Sequence, residues 1–514
     1  MNGAESLVQT LINGGVDVCF TNPGTSEMHF VAASDKVDGM RNVLGLFEGI
    51  CTGAADGYAR MAGKPAATLL HLGPGLGNGL ANLHNAKRAN SPIINIVGDH
   101  ATYHLQYDAP LTMDIESVAK SVSGWVRTSK DAESVPVDAA DAIAAALSPP
   151  GQIATLILPA DSSWNENPGP APIPAIPQPN PVAQNTIKTI AEVLRKGEPT
   201  IILIGGVTLM ENGLRVAGRI SRATGARIVA NRANNRIQRG AGRAVIERIP
   251  YPVPPALEML KGTAHMILVG TKPPVSFFAW RNMPNWLTPE NCEIHTLASF
   301  EEDGLCALEA LADELDAPDE PAAVYEHHPP DPPTGELTSE KVWMSLVALM
   351  PENSIISDEA VTSSRDADQW VANAAPHDWL SVTGGAIGQG LPVATGAAVA
   401  CPDRKVFAME ADGSGMYTLQ ALWTQAHEKL DVVTVLFANQ SYNILHGELT
   451  RVGVDYDCPK ARDLFELTSP NLNWVSLAQG MGVHATRAET AEKFNEQLEA
   501  AIHTPGPHLI EAII

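Results

Sequence analysis

Positive charge is scarce in this chain of 514 residues, which has 34 lysines and arginines against 58 aspartates and glutamates, a formal net charge of −24. Such an excess of negative charge disfavours binding to nucleic acid and to acidic membrane surfaces. It does not oppose an anionic small molecule, because metal ions and helix N-termini can make a site locally positive. We therefore expect a small-molecule ligand and neither nucleic acid nor membrane as a partner.

Cysteines and long apolar runs are also few. The six cysteines are scattered without a CxxC pair, so neither a cysteine zinc site nor a disulfide framework is indicated. No uninterrupted apolar segment has membrane-spanning length. Residues 1–15 lack a basic segment before an apolar core and do not resemble a secretion signal. The composition is that of a soluble protein, and we expect a cytoplasmic one.

Proline is abundant in only two long stretches, around 165–184 and 317–335. Such stretches sustain neither a helix nor an inner strand and are typical of linkers. They predict three domains, 1–165, 185–316 and 336–514, with linkers at 166–184 and 317–335.

Within each predicted domain, apolar strands alternate with helices, which indicates an α/β fold of three doubly wound parallel-sheet domains. Strands are predicted over 43–47, 66–72, 93–97, 200–204, 226–230, 265–269, 405–410 and 432–438, and helices over 214–224, 393–400 and 416–429.

Hard oxygen ligands follow two strands that are adjacent along the chain. Asp412, with Gly413 and Ser414, follows the strand over 405–410, and Asn439, with Ser441, follows the strand over 432–438. A right-handed crossover places these strands side by side, so Asp412 and Asn439 converge at the carboxyl edge of the sheet. One carboxylate, one amide oxygen and an oxygen near Ser441 form an incomplete shell that suits Mg²⁺ completed by phosphate oxygens. Gly413 and Ser414 open the next helix with N–H groups that can face a diphosphate.

Two other segments carry candidate site residues. Glu48 follows an apolar strand and precedes a helix of small residues, in the sequence LFEGICTGAADGYAR, so a nearly buried carboxyl group is expected there. The glycine-rich segment TGGAIGQGLP, residues 383–392, can approach a planar ring closely and carries one β-branched side chain, Ile387. The glycines over 73–79 are predicted to form a turn between a strand and a helix. They do not match the spacing of a dinucleotide fingerprint, and NAD binding is not indicated.

Together these segments resemble the thiamine diphosphate (ThDP) enzymes, and within them the benzoylformate decarboxylase-like and acetolactate synthase-like proteins. The family's diphosphate motif begins Gly-Asp-Gly and ends in Asn; here its first glycine is Ala411. The resemblance implies that Glu48 bonds the cofactor's pyrimidine ring, that the Gly385 carbonyl accepts from its amino group, and that Ile387 bends it into a V. The cofactor-binding set it implies is Glu48, Thr362, Gly385, Ile387, Asp412, Gly413, Ser414, Asn439, Ser441 and Tyr442, with Asp412, Asn439 and Ser441 as metal ligands.

The reaction that the resemblance implies is non-oxidative decarboxylation or carboligation of a 2-oxo acid through a C2-carbanion and an enamine. The segments NPGTSE, residues 22–27, and LHLG, residues 70–73, match the benzoylformate decarboxylase pattern around its active-site serine and histidine, with Thr25 in place of serine. Glu48, His71 and Thr25 are thus the catalytic candidates, His71 for proton transfer. His100 and His104 follow the next strand and are weaker candidates for the same cleft.

The segment beyond Asn439 is expected to line the substrate pocket, together with Thr25 and His71. Ile444 would narrow the pocket, and Leu445 and Glu448 would line it. An unpaired Glu448 carboxylate would be costly beside an aryl group, which favours a small, polar or cationic substrate.

Three alternatives remain open at this stage. The chain is a decarboxylase, an acetolactate synthase-like ligase acting on pyruvate, or a catalytically silent regulatory paralogue. FAD is possible by resemblance, but Gly205-Gly206 alone does not support it. The resemblance also implies a homodimer or homotetramer with active sites between subunits.

Overall fold

The computed structural model describes residues 1–454 and 457–514 and contains three sheets with helices packed on both faces. The first part of the chain forms β1 Val18–Asn22, β2 Arg41–Leu44, β3 Ala66–Leu70, β4 Ile93–Asp99, β5 Trp125–Thr128 and β6 Ile153–Pro159, with α1 Gly3–Asn13, α2 Met28–Lys36, α3 Glu48–Ala62, α4 Leu72–Ala89, α5 Ile115–Val122, α6 Val135–Leu147 and α7 Ala160–Trp164.

The middle part forms β7 Thr200–Ile204, β8 Arg227–Ala230, β9 Ile237–Arg239, β10 Glu247–Arg248, β11 His265–Val269 and β12 Glu293–Ala298, with α8 Gln184–Arg195, α9 Glu211–Thr224, α10 Val253–Leu260 and α11 Gly304–Glu314.

The last part forms β13 Ser354–Glu359, β14 His377–Ser381, β15 Val406–Ala411, β16 Val432–Ala438, β17 His484–Ala488 and β18 His508–Ile513, with α12 Ser339–Leu349, α13 Ala367–Val371, α14 Gly390–Ala400, α15 Asp412–Gly415, α16 Ala421–His427, α17 Asn443–Arg451, α18 Pro459–Asp463, α19 Trp474–Gly480 and α20 Ala491–His503.

The strand orders confirm the predicted fold class of mostly parallel, doubly wound sheets. They are β2-β1-β3-β4-β6-β5, β10-β8-β7-β11-β12 and β17-β18-β16-β15-β13-β14-β9. Every residue of β16 is buried, as expected of an uncharged apolar strand covered on both faces. The third sheet has one antiparallel member, β9, which comes from the middle part of the chain and pairs with β14. The division into three domains with two linkers stays a prediction.

Three local predictions were wrong. The glycines over 73–79 lie inside α4 and do not form a separate turn. The strand predicted over 43–47 ends at Leu44, where its pairing with β1 ends. Of the helix predicted over 416–429, the structure has only α16, over 421–427. Thr418, which lies before it, donates its hydroxyl to the Gly388 carbonyl at 3.0 Å.

None of the helices in the described residues is long and apolar enough to cross a membrane. The expected cytoplasmic location stays a prediction.

Helix α3, which packs on the first sheet, and helix α14, which packs on the third sheet, contact each other backbone to backbone. A Cβ atom on Gly396 of α14 would lie 1.8 Å from the Ala54 carbonyl oxygen, and one on Gly57 of α3 would lie 2.2 Å from the Val393 carbonyl oxygen. These distances are far inside van der Waals contact, so only glycine allows the two backbones to approach this closely.

A buried ion pair lies at one end of the same contact. Arg60 Nη2 is 2.5 Å from Asp56 Oδ2, and neither side chain is exposed. Arg60 Nη1 donates to the Ser381 carbonyl at 2.9 Å and to the Asn235 carbonyl at 3.3 Å. One guanidinium group on α3 therefore binds backbone from the middle and last parts of the chain.

We expect Gly396→Ala to destabilise the protein by about 1–3 kcal/mol, because the new methyl group forces α3 and α14 apart. The matched control is Gly480→Ala, at a helical position where an added Cβ meets nothing within 4 Å. Urea unfolding followed by circular dichroism should show a lower midpoint for the first variant and an unchanged or higher one for the second. Equal midpoints would contradict the close-packed contact.

Candidate active site

Asp412 and Asn439 lie together at the carboxyl edge of the third sheet. They directly follow β15 and β16, which pair in parallel up to Ala411 and Phe437. The Gln440 N–H donates to Asp412 Oδ2 at 2.6 Å, and the Ser441 N–H donates to Asn439 Oδ1 at 3.0 Å. The structure thus has the convergence that the crossover predicts.

The Asp412 carboxylate is buried and forms no ion pair with a side chain in the described residues. Burial raises the pKa of Asp412 to about 6, although the Gln440 and Gly413 N–H groups oppose that shift. A desolvated carboxylate next to an amide oxygen and without a cationic side chain fits a bound divalent cation. The donors present therefore suit Mg²⁺.

The neighbouring hydroxyl groups point elsewhere. Ser441 Oγ donates to the Phe465 carbonyl at 3.1 Å, and Ser414 Oγ donates to the buried carboxylate of Glu410. The Tyr442 ring covers Gly413, where an added Cβ would lie 2.5 Å from it. The predicted metal-binding role of Ser441 stays a prediction.

Two buried glutamates lie beneath the glycine-rich segment. Glu359 accepts hydrogen bonds from the Gly388 N–H at 2.9 Å and the Gly390 N–H at 2.7 Å. Burial raises the pKa of Glu359 to about 7, and burial together with the nearby Glu359 raises the pKa of Glu410 well above its usual range. Sequence reasoning missed both residues as part of the site; a glutamate at the end of each of two apolar strands was the available indication.

The glycine-rich segment itself follows β14. Gly385 has φ of 79°, a left-handed conformation that favours glycine, and Ile387 is half-buried two residues later. Asn82 and Asn85 of α4 hold the segment: Asn82 Nδ2 donates to the Gly388 carbonyl at 3.1 Å, and Asn85 Nδ2 donates to the Ala386 carbonyl at 2.8 Å. Thr362, on the 3₁₀ turn Val361–Ser364, is half-buried at the end of β13.

Glu48 begins α3 and is 7% exposed, which confirms the expected burial. Asn78 Nδ2 donates to Glu48 Oε2 at 2.9 Å. An added Cβ on Gly75 would lie 3.1 Å from Glu48 Oε1 and 3.5 Å from the His71 Cβ, so Glu48 and His71 flank this glycine. The structure thus brings Glu48 and His71 into one region.

His71 has a partner that the sequence analysis did not select. Its Nδ1 lies 2.8 Å from Glu27 Oε2, and Glu27 is 3% exposed. Burial raises the pKa of Glu27, while the Gly24 N–H and His71 oppose that shift. An added Cβ on Gly24 would lie 2.2 Å from His71 Nδ1, so the imidazole packs directly on backbone. Glu27 stands in the segment 22–27 that carried the resemblance, which was the indication available.

Three further candidates come from the first part of the chain: Thr25, His100 and His104. Thr25 is exposed on the 3₁₀ turn Thr25–Glu27. His100 Nε2 lies 3.0 Å from the Pro110 carbonyl, and His100 and His104 have ring centroids 5.5 Å apart. Within the described part of the chain, no hydrogen bond connects either of them to His71.

The predicted pocket segment lies on α17, where Ile444 is half-buried and Leu445 is exposed. The expectation of an unpaired Glu448 was wrong. Trp280 Nε1 donates to Glu448 Oε2 at 3.1 Å, and Arg451 one helical turn later forms an ion pair with the same carboxylate. The neutralised carboxylate no longer argues against an aryl substrate.

Trp280 belongs to a group of aromatic side chains from the middle part of the chain. This aromatic cluster comprises Tyr251, Phe277, Phe278 and Trp280, with successive ring centroids 5.6, 4.8 and 6.0 Å apart. The Phe277 ring lies against Gly385, where an added Cβ would be 2.5 Å from it. The cluster therefore places apolar surface next to the glycine-rich segment.

The two halves of the site contact each other where Asn82 and Asn85 of α4 bond the carbonyls of the glycine-rich segment. In residues 1–454 and 457–514, no hydrogen bond or ion pair joins Glu48 to Asp412 or Asn439.

Comparisons with known proteins agree with both halves. Residues 1–118 match the N-terminal TPP binding domain of thiamine pyrophosphate enzymes, and residues 360–512 match their C-terminal TPP binding domain. A Mycobacterium tuberculosis protein named "Putative acetolactate synthase large subunit IlvX" is 52% identical over 100% of this chain and 99% of its own. Benzoylformate decarboxylase of Pseudomonas aeruginosa is 27% identical over 97% of this chain and 96% of its own.

Solved structures share the fold along the full chain. A thiamine diphosphate-dependent 4-hydroxybenzoylformate decarboxylase from Rhodococcus jostii RHA1 matches with a TM-score of 0.85 at 24% identity, covering 99% of this chain and 98% of its own. Benzoylformate decarboxylase from Polynucleobacter necessarius matches with a TM-score of 0.86 at 19% identity, covering 100% and 99%.

Proposed function

Because the chain belongs to the thiamine pyrophosphate enzyme family, we propose that it binds ThDP and Mg²⁺ and catalyses the non-oxidative decarboxylation of a 2-oxo acid. The observation that carries this proposal is the pair of buried Glu27 and partly exposed His71 beside Glu48, because it provides a held imidazole next to the predicted pyrimidine-binding carboxyl group.

Residues of both halves would hold the cofactor. Asp412 and Asn439 would bind Mg²⁺, and the N–H groups that open α15 would face the diphosphate. Glu48 would bond the pyrimidine ring, and Ile387 would support the bent cofactor from below. ThDP, when bound, supplies the nucleophilic carbon and the electron sink for loss of CO₂.

His71 would transfer the proton that releases an aldehyde product. Glu27 fixes the ring through Nδ1, which leaves Nε2 free to face a reacting group. Gly24 supports the face of the ring and prevents it from turning away.

The aromatic cluster supports a substrate with an apolar or aromatic side chain. Phe277 borders Gly385, and the Glu448 carboxylate is paired with Trp280 and Arg451, so aromatic surface rather than an unpaired Glu448 lies in this region. Two relatives by sequence or fold are named for aryl 2-oxo acids.

Carboligation is the second candidate. The observation that favours it is the 52% identity, along the whole chain, to the protein named as an acetolactate synthase large subunit. In that case pyruvate would give acetolactate, and the proton transfer by His71 would be bypassed.

A homodimer, alone or paired into a tetramer, is the proposed active unit. The family arrangement supports a site made of Glu48 from one subunit and Asp412 from another, because its cofactor lies between the N- and C-terminal TPP binding domains of two subunits.

The first test measures products from a panel of aryl, alkyl and polar 2-oxo acids, with purified protein, ThDP and Mg²⁺. We expect CO₂ and an aldehyde from an aryl or apolar substrate, and a loss of turnover of about 10²–10⁴-fold in Glu48→Gln. Acetolactate from pyruvate would instead establish the ligase, and the absence of any turnover would favour a silent paralogue. The absorption spectrum of the same sample reports bound flavin.

The second test concerns the Glu27–His71 pair. We expect His71→Gln to lower kcat for aldehyde release by about 10²–10⁴-fold without weakening ThDP binding, because it removes the proton donor. Glu27→Gln should shift the pH profile of kcat. The matched control is His100→Gln, which should retain wild-type kcat; an equal loss in both histidine variants would contradict the assignment.

The third test is complementation between inactive chains. Glu48→Gln and Asp412→Asn chains are each expected to be inactive, but a random mixture of the two should regain about a quarter of wild-type activity, since half of the dimers are mixed and each has one intact site. Co-expression with two different tags supplies the mixture. No recovery in verified mixed dimers would place both residues in one subunit's site.

A further inference from the structure

A second group of possible metal ligands lies in the middle sheet, away from the proposed cofactor site. His265 is the first residue of β11 and pairs in register with Glu293, the first residue of β12; His295 follows two residues later. Their side chains, with Glu198 just before β7, form what we call the His265 cluster.

The cluster is at the opposite end of its sheet from the proposed catalytic chemistry. It lies where β11 and β12 begin, whereas ligands of doubly wound folds bind at the carboxyl ends of the strands. It also lies outside residues 1–118 and 360–512, which match the two TPP binding domains. Nothing in the proposed reaction uses these side chains.

The distances match those between ligands of one small cation. His265 Nδ1 lies 3.2 Å from His295 Nε2 and 3.6 Å from Glu293 Oε2, and His295 Nε2 lies 3.8 Å from Glu293 Oε2. A tetrahedral zinc ion with bonds of about 2.0–2.1 Å has ligand atoms roughly 3.3–3.4 Å apart. The three atoms therefore outline one face of such a tetrahedron.

The second nitrogen of His265 also has a suitable partner. His265 Nε2 lies 2.9 Å from Glu198 Oε2, and the imidazole is nearly buried, with 6% of its side chain exposed. A carboxylate that accepts the proton of one ring nitrogen leaves the lone pair of the other available to a metal, as is common around metal-bound histidines. Here the available atom is Nδ1, the one that faces His295 and Glu293.

We propose that His265, His295 and Glu293 bind a zinc ion, with the fourth position open to water. Two imidazoles and one carboxylate are a ligand set that zinc favours. Glu293 is 69% exposed on its side chain, which leaves an entry path. The ion would join β12, the edge strand of the sheet, to β11 and so stabilise that edge.

The experiment uses the full-length chain, stripped with EDTA and then loaded with excess Mg²⁺ so that the proposed cofactor site is occupied. Zinc is added in competition with a chromophoric chelator. We expect one zinc per chain, at least a tenfold loss of affinity in His295→Gln and in Glu293→Gln, and a loss of about 10–100-fold in Glu198→Gln, which acts only through His265. Added zinc should also raise the thermal midpoint of the wild type and not that of His295→Gln.

The control is His484→Gln, in a second histidine pair on adjacent strands. The His484 and His508 ring centroids are 5.3 Å apart, the same separation as His265 and His295. This variant should bind zinc like the wild type.

Two results would overturn the proposal. One is zinc binding by the wild type that is no tighter than by His295→Gln. The other is an equal loss in His484→Gln, which would mean non-specific capture by histidines. If His265 and His295 form only a hydrogen bond, the wild type shows no zinc response, and His295→Gln lowers the thermal midpoint even without zinc. Circular dichroism checks that each variant is folded.

Discussion

The contact between α3 and α14 is the constraint that fixes the two cofactor-binding halves of each chain relative to one another. Glu48 opens α3, and the glycine-rich segment with Gly385 and Ile387 leads directly into α14. Because Gly57 and Gly396 allow the two backbones to touch, the position of Glu48 relative to that segment is determined by packing and not by loops. Arg60 extends the same constraint to the middle part of the chain through the Asn235 carbonyl. Residues from distant parts of the sequence are thereby held by rigid elements.

Several carboxyl groups near the proposed cofactor site are buried, including those of Glu27, Glu359, Glu410 and Asp412. Their surroundings differ, and so do their properties. Glu359 accepts from two backbone N–H groups, and Glu27 Oε2 meets the Gly24 N–H and the His71 imidazole. Asp412 accepts from the Gly413 and Gln440 N–H groups at the edge of the sheet. Asp412 is the one of these four that lies beside the amide oxygen of Asn439 at the carboxyl edge of the sheet, so a divalent cation is best placed there.

The parts of the site that could be predicted from the sequence are those determined by local rules. Asp412 and Asn439 follow adjacent parallel strands, so the crossover rule alone places them together. Glu27–His71 and Trp280–Glu448 could not be derived in this way, because their partners are 44 and 168 residues apart and belong to no repeating pattern. The pairing of Glu448 removes the expected unpaired charge and with it the reason to disfavour an aryl substrate. The glycines over 73–79 show a different limit: glycine propensity indicates a turn, whereas close packing against Glu48 and Thr52 makes them part of a helix.

The strand β9 has a consequence for how the chain can be divided. It runs antiparallel to β14 and forms the last member of the third sheet, although it belongs to the middle part of the sequence. A fragment starting near residue 336 would keep the pairing of β14 with β13 but leave the outer side of β14 without a neighbour, and an open edge of this kind recruits other chains. The last part of the protein is thus an unsuitable module to transplant alone, and a fusion that preserves its solubility must carry residues 237–239 with it.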